Sequence, residues 1–141
     1  MKRIFIATIF FLSLFLSVFA APGELISNPT VPTTKNSITL IYEPSVSQNW
    51  MKTQDVFIYV CLEMDQNGEW VKEKAEWSKS DLPNFKWVKG ADGKLTYTIS
   101  NIKTYFNLTD ADMSRVSGLF VILKNDKYQT TDKYIRIESK E

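Results

Sequence analysis

The stretch Asp55-Val56-Phe57-Ile58-Tyr59-Val60-Cys61-Leu62-Glu63-Met64 decides the fold. Alternation puts Val56, Ile58, Val60 and Leu62 on one side and Phe57, Tyr59 and Cys61 on the other, so both sides are apolar. Its length and β-branched content make it a strand, and two apolar sides predict a central strand covered on both faces. Ser117 to Lys124 repeats the pattern, with Leu119, Val121 and Leu123 against Phe120 and Ile122. The interior is therefore expected to hold Val56, Ile58, Val60, Leu119, Val121, Ile135 and Ile137.

Working outward, the turn Asp65-Gln66-Asn67-Gly68 leads to Glu69 to Lys72, which reads as the returning strand of a hairpin. Upstream, Ser37 to Glu43 alternates Ile38, Leu40 and Tyr42 with Thr39 and Ile41 until Pro44 ends it. Downstream, Lys74 to Val88 lacks periodicity and reads as a long loop with a short strand near Phe85 to Val88. Ala91-Asp92-Gly93 turns into Lys94 to Ser100, a half-buried strand with Leu95, Tyr97 and Ile99 inward. Thr109 to Asp112 has the form of a helix N-cap with an acid three residues on, predicting one helical turn through Arg115. Tyr134 to Glu138 closes the chain as an alternating strand. Residues 21–36, with Pro22, Pro29 and Pro32, read as an extended lead-in with an edge strand around Glu24 to Ser27. About seven short strands, with at most one short helical turn, predict an all-β fold: a single antiparallel, immunoglobulin-like β-sandwich over residues 37–141.

Residues 1–20 have a different character. Lys2 and Arg3 precede an apolar run from Ile4 to Leu16, and Val18-Phe19-Ala20 supplies small residues before a cut, the layout of a secretory signal peptide. The run is short for a membrane span and Pro22-Gly23 ends it, so the expected product after cleavage is soluble, secreted or periplasmic, with no membrane span. Without Lys2 and Arg3 the chain of 17 basic and 16 acidic side chains is left near −1. That balance argues against nucleic acid as a partner. The chain has no histidine, which excludes His-based catalytic triads and histidine metal sites. The single cysteine, Cys61, lies within the most apolar strand and reads as a small core residue.

Neither acid–base nor metal chemistry is spelled out by the carboxylates. Glu69, Glu73 and Glu76 alternate with Lys72, Lys74 and Lys79 as a solvated charged face does. Asp110 and Asp112 fit helix capping, with no calcium-loop series after them. The expectation is a non-enzyme without cofactor or metal. What remains is tryptophan: Trp50, Trp70, Trp77 and Trp87 fall in or beside loops. Flat aromatic faces stack on the apolar C–H faces of pyranose rings, which makes Trp70, Trp77 and Trp50 the candidate ligand-binding residues. A sandwich of this size also buries Trp between its sheets, and Trp87, beside Phe85 and Val88, reads as core. Trp50 either lines a loop at one end or plugs the space beneath it. Trp70 and Trp77 are seven apart and would face opposite ways on one continuous strand. A shared platform requires a turn or bulge within Lys72 to Ala75.

The succession Asn28-Pro29-Thr30-Val31-Pro32-Thr33, Ser37-Ile38-Thr39-Leu40-Ile41-Tyr42 and Asp55-Val56-Phe57-Ile58-Tyr59 resembles the start of small β-sandwich modules in secreted Bacteroidetes proteins. Such modules stand beside α-amylase domains and in SusE-type glycan-uptake proteins. The likeness continues through Trp70, Trp77, Leu95-Thr96-Tyr97-Thr98-Ile99, Ile102-Lys103-Thr104-Tyr105-Phe106 and Gly118 to Asn125, each piece a strand pattern. The resemblance implies a non-catalytic module binding a polysaccharide or oligosaccharide, starch or another α-glucan, or a spacer of the same fold. The alternative is a structural or protein-interaction domain that meets another exported protein through a sheet edge. Exposure of the Trp rings separates the two.

Overall fold

A computed structural model describes residues 21–139. The signal-peptide assignment for residues 1–20 lies outside the described residues. Within them the chain forms β1 (Leu25–Asn28), β2 (Ile38–Tyr42), β3 (Phe57–Met64), β4 (Val88–Lys89), β5 (Leu95–Ile99), β6 (Val116–Lys124) and β7 (Lys133–Arg136). One sheet has the order β1-β2-β5-β4 and the other β3-β6-β7, with every strand pair antiparallel. Taken as strands A to G, these are the two sheets of the constant-type immunoglobulin sandwich.

Period-two alternation sets the register. Ile58 lies opposite Leu123 and Val60 opposite Val121, while Leu40 lies opposite Tyr97 in the other sheet. The inward side chains of both sheets meet in one core, and Val56, Ile58, Val60, Leu119, Val121, Ile135 and Ile137 are all buried in it. Trp87 belongs to this core too, at 1% exposure. The hairpin turn at Asp65 and Gln66 is left-handed, with Gly68 at φ 74 completing it.

β3 departs from expectation. It is the edge of its sheet, not a central strand, since β6 lies between it and β7. Its outer apolar side is covered by the irregular segment that follows, not by further strands. The free edge is bonded by that segment as well: Leu62 and Val71 exchange two hydrogen bonds of 2.8 Å, Lys74 N–H donates to Val60 (3.0 Å), and Trp87 N–H donates to Val56 (2.8 Å). An exposed row of unpaired amides is thereby avoided. The hairpin partner expected over Glu69 to Lys72 shrinks to the single Leu62–Val71 bridge, because Lys72 is left-handed (φ 55) and turns the chain away.

Short helical segments are more numerous than the periodicity announces: α1 (Trp50–Thr53), α2 (Ile102–Phe106) and α3 (Asp110–Met113), besides 3₁₀ turns at Val46–Gln48, Trp77–Lys79 and Pro83–Phe85. Ile102 to Phe106 has strand composition yet is helical. Asn101 accepts the Thr104 N–H at 2.9 Å, and Asn107 takes a left-handed C-cap at φ 55, so caps at both ends override a weak propensity. α3 is the expected turn, with the Thr109 hydroxyl accepting the Asp112 N–H at 3.1 Å. Among the described residues no helix is long and apolar enough to cross a membrane.

Candidate functional site

The outer face of the three-stranded sheet gathers the side chains that alternate with the core. β3 supplies Phe57, Tyr59, Cys61 and Glu63; β6 supplies Gly118, Phe120, Ile122 and Lys124; β7 supplies Tyr134 and Arg136. The segment after β3 lays Trp70 and Trp77 on the same face. The left-handed Lys72 is the reversal that lets residues seven apart meet there.

Five rings form one row. Trp77 meets Tyr59 edge-on at 5.0 Å, Tyr59 lies 6.2 Å from Trp70, Trp70 stacks on Phe120 at 4.7 Å with 4° between planes, and Phe120 tilts against Tyr134 at 5.2 Å. Trp70 is 25° and Trp77 65° off the Tyr59 plane, so the two indoles are steeply inclined to each other and are not coplanar. Trp70 is half-buried against Phe120, while Trp77 is 38% and Tyr134 44% exposed.

Trp77 is fixed from below. The Lys124 ammonium sits 4.8 Å from its ring centroid, is 3% exposed, and is paired with Asp81 and the Ser80 hydroxyl (3.2 Å). A desolvated cation over an indole is attracted by its quadrupole, which holds the ring while it stays partly exposed. Tyr59 donates to Glu73 at 2.5 Å, and burial together with that carboxylate raises its phenol well above the ordinary range.

At the other end of the row lies Glu63, 6% exposed. One carboxylate oxygen accepts from the Tyr134 hydroxyl (2.6 Å) and the Ser117 hydroxyl (2.8 Å), and the other from the Gly68 N–H (2.9 Å). Burial alone would raise its pKa, but the three donors outweigh it and hold the carboxyl below its usual value. The same contact, after burial, pushes Tyr134 up to about 12. The Tyr134 ring lies over Gly118, where a Cβ would come within 2.3 Å of it. Only glycine admits the ring there.

Trp50 is not part of this row. It stacks on Tyr128 at 5.3 Å and 19°, at the end of the sheet where Gln54 accepts from Asn125 at 3.0 Å. Trp87 is enclosed by the core against Tyr97. Glu69, Glu73 and Glu76 do not converge: Glu69 is exposed, Glu73 holds Tyr59, and Glu76 pairs with Lys79 at 3.3 Å. Asp110 pairs with Lys103, and Asp112 caps α3. Cys61 is buried, which raises its thiol pKa and disfavours the thiolate. Among the described residues no three Asp, Glu, Cys or His side chains gather where they would hold a metal ion.

Five contributors to this face were not singled out from sequence: Tyr59, Phe120, Tyr134, Glu63 and Lys124. Their signal was the second side of each alternating strand, aromatic or charged where the first is aliphatic. No protein-family model matches the chain, and its sequence has no significant match among curated proteins.

Proposed function

We propose that the protein is a non-catalytic, exported carbohydrate-binding module, and that it binds starch or another α-glucan on the outer face of the three-stranded sheet. The observation that carries this reading is the continuous row Trp77, Tyr59, Trp70, Phe120 and Tyr134, exposed at both ends and fixed by buried polar contacts. Fixed aromatic faces bind without paying the entropy of ordering them. Sugar hydroxyls need polar neighbours, and Glu73 and Gln66 border the row. The charged start and apolar run of residues 1–20 support export, and the likeness to modules of secreted glycan-utilisation proteins supports the ligand class.

Titration with soluble α-glucan, followed by Trp fluorescence, tests the reading. Trp77→Ala is expected to weaken binding by about 5- to 150-fold, the equivalent of 1–3 kcal/mol per stacked ring by analogy with base stacking. Trp50→Ala, outside the row, is expected to leave affinity within about twofold. A wild-type protein that binds no glycan, while its sheet face captures a defined exported protein, would establish the interaction-domain reading instead.

A further inference from the structure

The β7 end of the row has a second chemical character. Tyr134 and Arg136 alternate with the buried Ile135 and Ile137, so both leave the sheet on the outer side, two residues or roughly 6–7 Å apart. Tyr134 is 44% exposed yet held at three points: over Gly118, against Phe120, and by its hydroxyl on Glu63. It is a rigid, solvent-facing aromatic surface. Arg136 is exposed and makes no hydrogen bond or ion pair with any described residue. Arg115, at the same end of the sheet, differs in being held by Asp65 at 3.0 and 2.6 Å. Tyr134 and Arg136 border one cleft of about 550 Å³, with Glu63 and Gln66 also in its lining.

The charges in that cleft are unequal in availability. Glu63 is more than nine-tenths buried and directs its oxygens at the Tyr134 and Ser117 hydroxyls and the Gly68 amide. The Arg136 guanidinium, with no hydrogen bond or ion pair among the described residues, is a planar, multiply donating fork that matches a carboxylate bidentately.

We propose that this cleft takes a uronate residue of an acidic polysaccharide, its ring stacked on Tyr134 and its carboxylate paired with Arg136. This rests on the face being a glycan site and goes beyond the neutral α-glucan: it makes a carboxylate-bearing residue the preferred ligand at the β7 end. A neutral glucan offers Arg136 hydroxyl acceptors but no anionic, bidentate partner.

The test is calorimetric titration of the purified protein with an oligogalacturonide, an alginate oligomer and a neutral malto-oligosaccharide, for the wild type and for Arg136→Gln and Tyr134→Phe. At least one acidic oligomer is expected to bind more tightly than the neutral one, with affinity falling as salt rises. Arg136→Gln should weaken that binding by about tenfold or more, a larger loss than for the neutral oligomer, and flatten its salt dependence. Tyr134→Phe, which keeps the ring, should retain most of the acidic-glycan affinity. Binding of the neutral oligomer alone, or acidic binding unchanged in Arg136→Gln, overturns the uronate assignment while the glycan-binding reading stands. Absence of binding to all three overturns both.

Discussion

Trp87→Ala is expected to lower stability by about 3–5 kcal/mol, the range for emptying a large aromatic site in a core. The ring is 1% exposed, lies 5.7 Å from Tyr97 of β5, and sits on the residue whose amide bonds to Val56. It therefore joins the irregular segment, the free edge of β3 and the four-stranded sheet at one point. In a domain of this size that loss corresponds to a melting temperature roughly 10–25 °C lower. Its indole N–H is the buried side-chain polar atom without a hydrogen-bond partner among the described residues. An unpaired buried donor costs about 1–3 kcal/mol, so Trp87→Phe, which removes it and leaves a smaller cavity, should cost much less than Trp87→Ala. Urea denaturation of both variants checks the pair of values. A loss under about 1 kcal/mol for Trp87→Ala would contradict a core position.

Ile58→Ala should cost about 2–5 kcal/mol, through lost burial and the cavity left behind. Ile58 is 1% exposed on the inner side of β3, opposite Leu123, where the two strongest strand patterns pair. The rigid neighbours on β6 have little room to collapse into the space. A loss under about 0.5 kcal/mol, the range of surface changes, would place β3 in the wrong register.

Both variants probe what was legible in the sequence. A one-residue slip would carry Ile58 to the outer face, so strict alternation of aliphatic side chains fixes strand register and core together. The position of β3 at a sheet edge was not legible. A strand apolar on both sides signals two covered faces, but whether strands or a loop do the covering depends on segment 69–81, which has no period of its own. α2 escaped for a related reason: Asn101 and Asn107 cap Ile102–Phe106 into a helix despite its β-type composition.

The candidate site was legible by halves. Trp70 and Trp77 stood out as aromatics in a polar loop, and the left-handed Lys72 places both on one face. Their inclination and the partners beneath them depend on Lys124, Tyr59 and Phe120, which sequence alone reads as sheet residues. Trp50 shares the same sequence signal yet stacks on Tyr128 elsewhere, because aromatic composition does not report which end of a sandwich a loop occupies.

Glycan binding at the aromatic face is tested most directly by the four tryptophan indole N–H resonances of nitrogen-15-labelled protein during titration with oligosaccharide. A ligand on the three-stranded sheet predicts that the Trp70 and Trp77 signals move with ligand concentration while those of Trp50 and Trp87 stay in place. Movement of Trp50 alone, or four stationary signals with every glycan titrated, would contradict it.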